Sequence, residues 1–386
     1  MPVIETVLAP VEASSVGLVL AAETLLCTPA ARRGNAGVPA GDAEFERSPV
    51  DMPALGRLML GAVNTDDRTL AAPDAEAALD VLAAAVGEGP VPLLVALAGQ
   101  GSTARPGALA CLSRASGIAI VRGTDGTAHG TDGGSDGGSD GTAHGSDTAS
   151  AGDPDPEASA TRIAAELTAS EHPAGVVGAI PLPGAAAPAA QQDRARAAIR
   201  SAAAAARAAG AALVLAPAAD PWAVAPAPAD GAERFAVLAR ALRAVDAAGL
   251  DRSRVILTGA AGLIASDRGD GADLHRLDAL LDLGPTVCFD DLGRIPNVRT
   301  VVSDHGIAVA ILRAAERGAA NRIVLSSGIR NKHRLTAFGG NGLEFAATQF
   351  LPYLRMLGAD DAVVSAVGGG NAARMLARTT NEGAGE

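Results

Sequence analysis

The chain has 386 residues, a formal net charge of −12, 48% apolar residues and only 2% aromatic ones. Such a length suits one large domain, and the apolar share can fill a sizeable core. The acidic balance argues against nucleic acid and against an anionic membrane surface, because both reward basic patches.

Ala and Gly dominate, Trp222 and Tyr353 are the single Trp and Tyr, and Lys332 stands alone against thirty arginines. A GC-rich coding bias accounts for that composition more simply than a role for arginine. Cys27, Cys111 and Cys288 are odd in number and widely spaced, so no disulfide framework or zinc knuckle can be read from them. A reducing cytoplasm is the expected location. The apolar run from Val16 to Cys27 has the ending of a lipoprotein signal, but the segment before it carries Glu5 and Glu12 and no basic residue, and Glu23 interrupts the run. It reads instead as a buried strand and its loop. No run reaches the ~18 clean apolar residues of a membrane helix.

Short apolar runs alternate with longer Ala-rich amphipathic ones, the pattern of βαβ units on a parallel sheet. In chain order the expected strands are Gly17–Leu20, Pro92–Ala98, Gly117–Arg122, Gly175–Ile180, Ala212–Ala216, Arg254–Thr258, Thr286–Asp290 and Arg322–Ser326. Continuous apolar runs such as Val-Pro-Leu-Leu-Val-Ala-Leu fit strands covered on both faces. Expected helices are Asp74–Val86, Gln191–Ala209, Ala232–Ala248, Asp273–Leu283, Ile307–Arg317 and Leu343–Leu357, with Ala359–Leu376 helical in pieces. Eight strands separated by helices favour a closed (β/α)8 TIM barrel over an open sheet, as one domain spanning 1–386. After the third strand, residues 123–157 repeat Gly, Ser, Thr and Asp with almost nothing to bury, so a disordered loop is expected there. A calcium-binding Gly-Asp repeat fits less well, because the run lacks the apolar residue that each turn of such a roll packs inward. Residues 379–386 are expected to form a disordered tail.

Several stretches resemble the phosphotriesterase family of the amidohydrolase-like metal-dependent hydrolases. They are Arg322-Ile-Val-Leu-Ser-Ser-Gly328-Ile-Arg330-Asn-Lys332-His-Arg334, Ala337-Phe-Gly339-Gly340-Asn-Gly342, Phe350-Leu-Pro352-Tyr-Leu-Arg-Met-Leu-Gly358, Asn371-Ala-Ala-Arg374, Leu283-Gly-Pro-Thr-Val-Cys-Phe289-Asp290 and Val16-Gly-Leu-Val-Leu-Ala-Ala-Glu23. The resemblance implies a TIM barrel and hydrolysis of phosphotriesters, lactones or related esters by two divalent cations, usually zinc, bridged by a hydroxide. Family ligands come from strand ends: a His-x-His pair on the first strand, a bridging Lys or Glu on the fourth, a His each on the fifth and sixth, and an Asp on the eighth. The matching positions here are Ala22 and Thr24, Ala179, Ala216, Gly259 and Gly328. The first 128 residues hold no histidine, and none of His129, His144, His172, His275, His305 and His333 lies near the ends of strands one, five or six. Shifting the alignment therefore restores nothing. A tight zinc site gains on the order of 10–16 kcal/mol from about four ligands, so losing all six removes the reason for a metal to stay. No cofactor is expected.

The remaining candidates are weak. Glu23, between the two lost histidines, is a possible general base or a leftover hydrogen-bonded carboxylate. Asp290 matches an acid that the family keeps near its site. Cys288 has no histidine partner that would make it a nucleophile. Arg330, Lys332 and Arg334 follow the eighth strand and are candidates to line the barrel mouth, and the resemblance implies that Arg334 anchors its loop; His305 and His333 read as surface or supporting residues. The expectation is a pseudoenzyme that binds a small molecule or pairs with another subunit, as a homodimer or with an active relative. The alternative is a hydrolase that uses metal-free acid/base chemistry.

Overall fold

The computed structural model describes residues 1–28, 42–97, 104–125, 156–185, 187–217, 231–267, 269, 271–296, 300 and 302–379. Most of the Gly/Asp-rich run (126–155) and the tail from 380 lie outside the described residues.

Eight parallel strands form one sheet in sequential order: β1 (Val16–Glu23), β2 (Val91–Ala96), β3 (Ala119–Gly123), β4 (Ala174–Leu182), β5 (Ala212–Pro217), β6 (Val255–Leu257), β7 (Thr286–Phe289) and β8 (Ile323–Leu325). β8 returns to contact β1, so the sheet curls into a nearly closed barrel. Each expected strand is present, with ends moved by at most three residues. Between the strands run α1 (Ala72–Val86), α2 (Pro106–Ser116), α3 (Pro156–Leu167), α4 (Ala189–Ala208), α5 (Gly231–Ala247), α6 (Leu274–Asp282) and α7 (Asp304–Glu316). The closing helical segments each carry one π-helical turn, Ala346–Phe350 and Ala366–Gly370.

The strands are short and bear Val, Leu, Ile and Ala on both faces because both faces are covered. Val19, Val95, Val121, Val176, Val214 and Ile256 fill the barrel interior, while Leu20, Leu94, Ile120, Val177 and Leu213 pack outward against the helices. With so few aromatics, helix-facing alanines take up the space. Ala202, Ala203 and Ala206 of α4 are fully buried, which lets that helix lie close to the sheet.

Three features differ from the expectation. α2 and α3 are additional helices; the α3 sequence is weakly apolar and directly follows the Gly/Asp-rich run. That run is shorter than 123–157, since Gly123 ends β3, Thr124 is buried, and Pro156 and Glu157 begin α3. At the other end of the barrel Pro2–Ile4 pairs antiparallel with Val11–Glu12 and with Arg378–Thr379, so residue 379 belongs to a small sheet rather than to the tail. Ile4 and Met375 enter the interior cluster from this sheet and from the helix Asn371–Leu376, plugging the barrel base.

Candidate functional site

The strand ends opposite the plug bring Ala22, Thr24, Ala179, Ala216, Gly259, Asp290 and Gly328 to one rim, the face on which TIM barrels build their sites. Thr24, Ala179, Ala216, Gly259, Asp290 and Gly328 are half-buried there. Ala22 is buried. Apart from Asp290 and the Thr24 hydroxyl, these side chains offer no donor or acceptor.

Glu23 is 1% exposed and sits at the seam where β8 meets β1. Its Oε1 accepts from Ser326 Oγ at 2.6 Å, from the Ser327 amide at 2.6 Å and from the Gly328 amide at 3.0 Å. Its Oε2 accepts from the Ile329 amide at 3.0 Å. Ser326 Oγ in turn accepts from the Ala22 amide at 2.9 Å. Among the described residues no backbone ladder pairs β8 with β1, so this carboxylate and Ser326 do the stitching. Three consecutive amides turned on one carboxylate form a concave anion nest. Burial raises the Glu23 pKa, and the four donors oppose that rise. With both oxygens engaged, Glu23 is unavailable to a ligand.

Asp290 follows β7. Its Oδ1 accepts from the Gly259 amide at 2.6 Å. Burial, and then the neighbouring Asp291 charge, push its pKa up to about 6, while Arg330 pulls the other way. This group therefore changes charge close to neutral pH. Cys288 is fully buried in the barrel interior. Burial, reinforced by Asp290 and Glu23, raises its thiol far above the ordinary range, so it stays protonated and inert.

The three basic candidates separate. Arg330 is exposed and makes no hydrogen bond among the described residues; its charge reaches Asp290 and Cys27. Lys332 turns instead to Asp66 at 2.8 Å and Asp74 at 3.5 Å, on the segment between β1 and β2. Arg334 is buried and donates to the carbonyls of Leu292 at 2.8 Å and Gly328 at 3.2 Å. Burial, with Arg294 nearby, lowers its pKa to about 10, and it fastens the loops after β7 and β8 together. His333 is not a surface residue. It is buried, and its backbone amide and Nδ1 both meet Asp67 Oδ1, at 2.9 and 2.8 Å. His305 Nδ1 contacts the Tyr353 hydroxyl at 2.7 Å. Sequence reasoning missed Asp67 altogether, because its partners are more than 260 residues away in the chain and nothing local marks it.

Two cations with a bridging hydroxide need several His, carboxylate or Lys donors converging on one point. Among the described residues no group of three or more His, Cys, Asp or Glu is placed to hold a metal ion. Among the described residues, those at the rim do not fit that cofactor: the Glu23 carboxylate is engaged in the seam, and Asp290 is not part of a cluster of ligand groups.

Residues 196–376 match the model of the Phosphotriesterase family. The chain is 32% identical to the phosphotriesterase homology protein of Escherichia coli over 95 residues, which is 24% of this chain and 30% of that protein; it thus spans under a third of that curated relative. A resiniferatoxin-binding protein from Rhodobacter sphaeroides superposes with a TM-score of 0.73 at 22% identity, covering 97% of this chain and 94% of the other. A lactonase from Listeria monocytogenes gives 0.64 at 14% identity, covering 97% and 98%. At these identities the likeness establishes the barrel and not the activity. The family match runs from within α4 through β5 to β8 and on to the base helix, a likeness to the phosphotriesterase family over a little under half of the chain.

Proposed function

We propose that this chain is a phosphotriesterase-like barrel that binds a small molecule at its rim and has given up hydrolysis by paired metal ions. The observation that carries this reading is the rim itself. Ala22, Thr24, Ala179, Ala216, Gly259 and Gly328 stand where the family's six ligands would be, and the retained carboxylate of Glu23 is bound by four internal donors. Among the described residues, these six positions add little polarity, and the carboxyl of Asp290 and the exposed guanidinium of Arg330 lie beside them. That chemistry suits an apolar ligand with one polar or anionic group. The neighbour from Rhodobacter sphaeroides, named for binding resiniferatoxin rather than for hydrolysis, supports a binding role on this scaffold.

Metal analysis of protein purified without chelators tests the reading. Substoichiometric zinc, manganese and iron are expected; two tightly held ions per chain would end it. Among the described residues no helix is long and apolar enough to cross a membrane.

A second reading, metal-free ester or lactone hydrolysis, draws on the Asp290 pKa of about 6, a value suited to a general base. Glu23 and Cys288 are too enclosed to share that role. Turnover of aryl esters or lactones in the presence of EDTA, abolished in Asp290→Asn, would favour it over the binding role.

A further inference from the structure

Resting on the metal-free reading above, we infer that the backbone of the rim, and not only its side chains, is closed to the family's metal ligands. Four of the six positions, Ala22, Thr24, Ala179 and Ala216, already carry a Cβ, so a longer side chain there starts from a backbone that tolerates one. The other two differ in kind.

Gly259 lies just past β6 with φ +68°, and a Cβ there would sit 2.6 Å from Pro217 Cγ and 2.9 Å from Pro217 Cδ. Pro217 ends β5 in register with Leu182 of β4, so its ring is part of the barrel wall. Gly328 lies just past β8 with φ +57°, and a Cβ there would fall on the Asp290 carbonyl oxygen, deep inside van der Waals contact. This obstacle is backbone and cannot change rotamer. The Gly328 peptide cannot rotate away either. Its amide donates to Glu23 at 3.0 Å, and its carbonyl accepts from the buried Arg334 at 3.2 Å.

The two glycines also meet at one residue. Asp290 places its carbonyl against Gly328 and its carboxyl on the Gly259 amide at 2.6 Å. Strand ends six, seven and eight are therefore one interlocked unit, held by Glu23 on one side and Arg334 on the other. A histidine at 259 and an aspartate at 328 would each have to displace that unit. Positive φ adds its own penalty for any residue with a Cβ. The rim has taken a tighter shape in which cation ligands have no place.

The experiment compares melting midpoints and metal content. Gly328→Ala and Gly259→Ala should each lower the midpoint by several degrees, whereas Thr24→His and Ala216→His should leave it nearly unchanged. The six-position variant (Ala22→His, Thr24→His, Ala179→Lys, Ala216→His, Gly259→His, Gly328→Asp) should hold far less than one zinc per chain after dialysis against zinc. Alanine variants as stable as the unaltered protein, or a six-position variant that retains two zinc ions, would overturn the inference. Stoichiometric metal in the unaltered protein would instead sink the functional reading. The alanine variants decide the backbone question in either case.

Discussion

Glu23→Ala is the most direct challenge to the seam. The substitution leaves four donors, Ser326 Oγ and the amides of Ser327, Gly328 and Ile329, without their acceptor in a place that is 1% exposed. Each orphaned buried donor costs about 1–3 kcal/mol. Two effects reduce the sum. Water can enter the space left by the side chain, and the protein no longer desolvates a carboxylate. A net loss of about 3–5 kcal/mol follows, in the range for breaking a buried charged contact by removing one partner. With an unfolding entropy of about 2.1 cal/mol/K per residue, 386 residues convert that loss to a fall of roughly 4–6 °C in the melting midpoint. Glu23→Gln keeps one acceptor oxygen but sets an amide group against the remaining N–H donors, so a smaller loss of about 1–3 kcal/mol is expected. The pH dependence adds a signed test. Burial raises the folded-state pKa of Glu23, so its contribution is fully present below the unfolded pKa and fades as pH rises through the folded one. The gap between Glu23→Gln and the unaltered protein should therefore be widest in acid and narrow with rising pH. Urea or thermal unfolding at several pH values measures both. A Glu23→Ala variant within about 1 kcal/mol of the unaltered protein would refute the claim that this carboxylate closes the barrel.

Two further outcomes follow from charged groups elsewhere. Asp290, raised from 3.8 to about 6 by burial and by Asp291, contributes stability that is present below about pH 4 and lost between about pH 4 and 6. Asp290→Asn keeps the acceptor for the Gly259 amide and should flatten that decline, which is on the order of 1–2 kcal/mol after solvent screening; an unchanged pH profile would contradict it. Burial alone would raise Asp67, but hydrogen bonds and charge from His333, with a further bond from Asn331, outweigh it and hold Asp67 below the usual carboxylate range. Its contribution is thus present above the unfolded pKa and lost as pH falls through the folded one. Asp67→Ala should cost about 2–4 kcal/mol at neutral pH, and hydrogen exchange should show residues 62–70 loosened from residues 331–334.

The barrel was legible in the sequence because its signal is local. Each strand is a continuous apolar run, and runs such as Leu93 to Leu97 and Leu213 to Leu215 need no partner to be recognised. α2 and α3 were missed because a helix flanked by Gly- and Ser-rich sequence has weak periodicity. The residue types at the six rim positions were legible too, since Ala216 or Gly328 can be read directly. What the sequence could not show is how those positions are held. The meeting of Glu23 with Ser326 spans 303 residues, and that of Asp67 with His333 spans 266. Lys332 reads as a candidate for the mouth because it follows β8, but its direction is set by Asp66; the anchoring that the resemblance implies for Arg334 is made through the Leu292 carbonyl, which only the folded chain brings near.

The triplet Ala22-Glu23-Thr24 separates two demands that the family pattern His-Glu-His combines. The family resemblance gives the flanking positions to the cations, and here the side chains of Ala22 and Thr24 make no hydrogen bond among the described residues. The central residue faces the other way, into the seam. There its carboxylate joins β1 to three consecutive amides after β8 and to Ser326. Replacing it exposes the one junction of the barrel that lacks a backbone ladder. On the proposed metal-free reading, the residues on either side of Glu23 are free to change, while Glu23 stays fixed by a structural demand independent of any reaction. Closure of the barrel by itself gives this carboxylate a structural role at position 23.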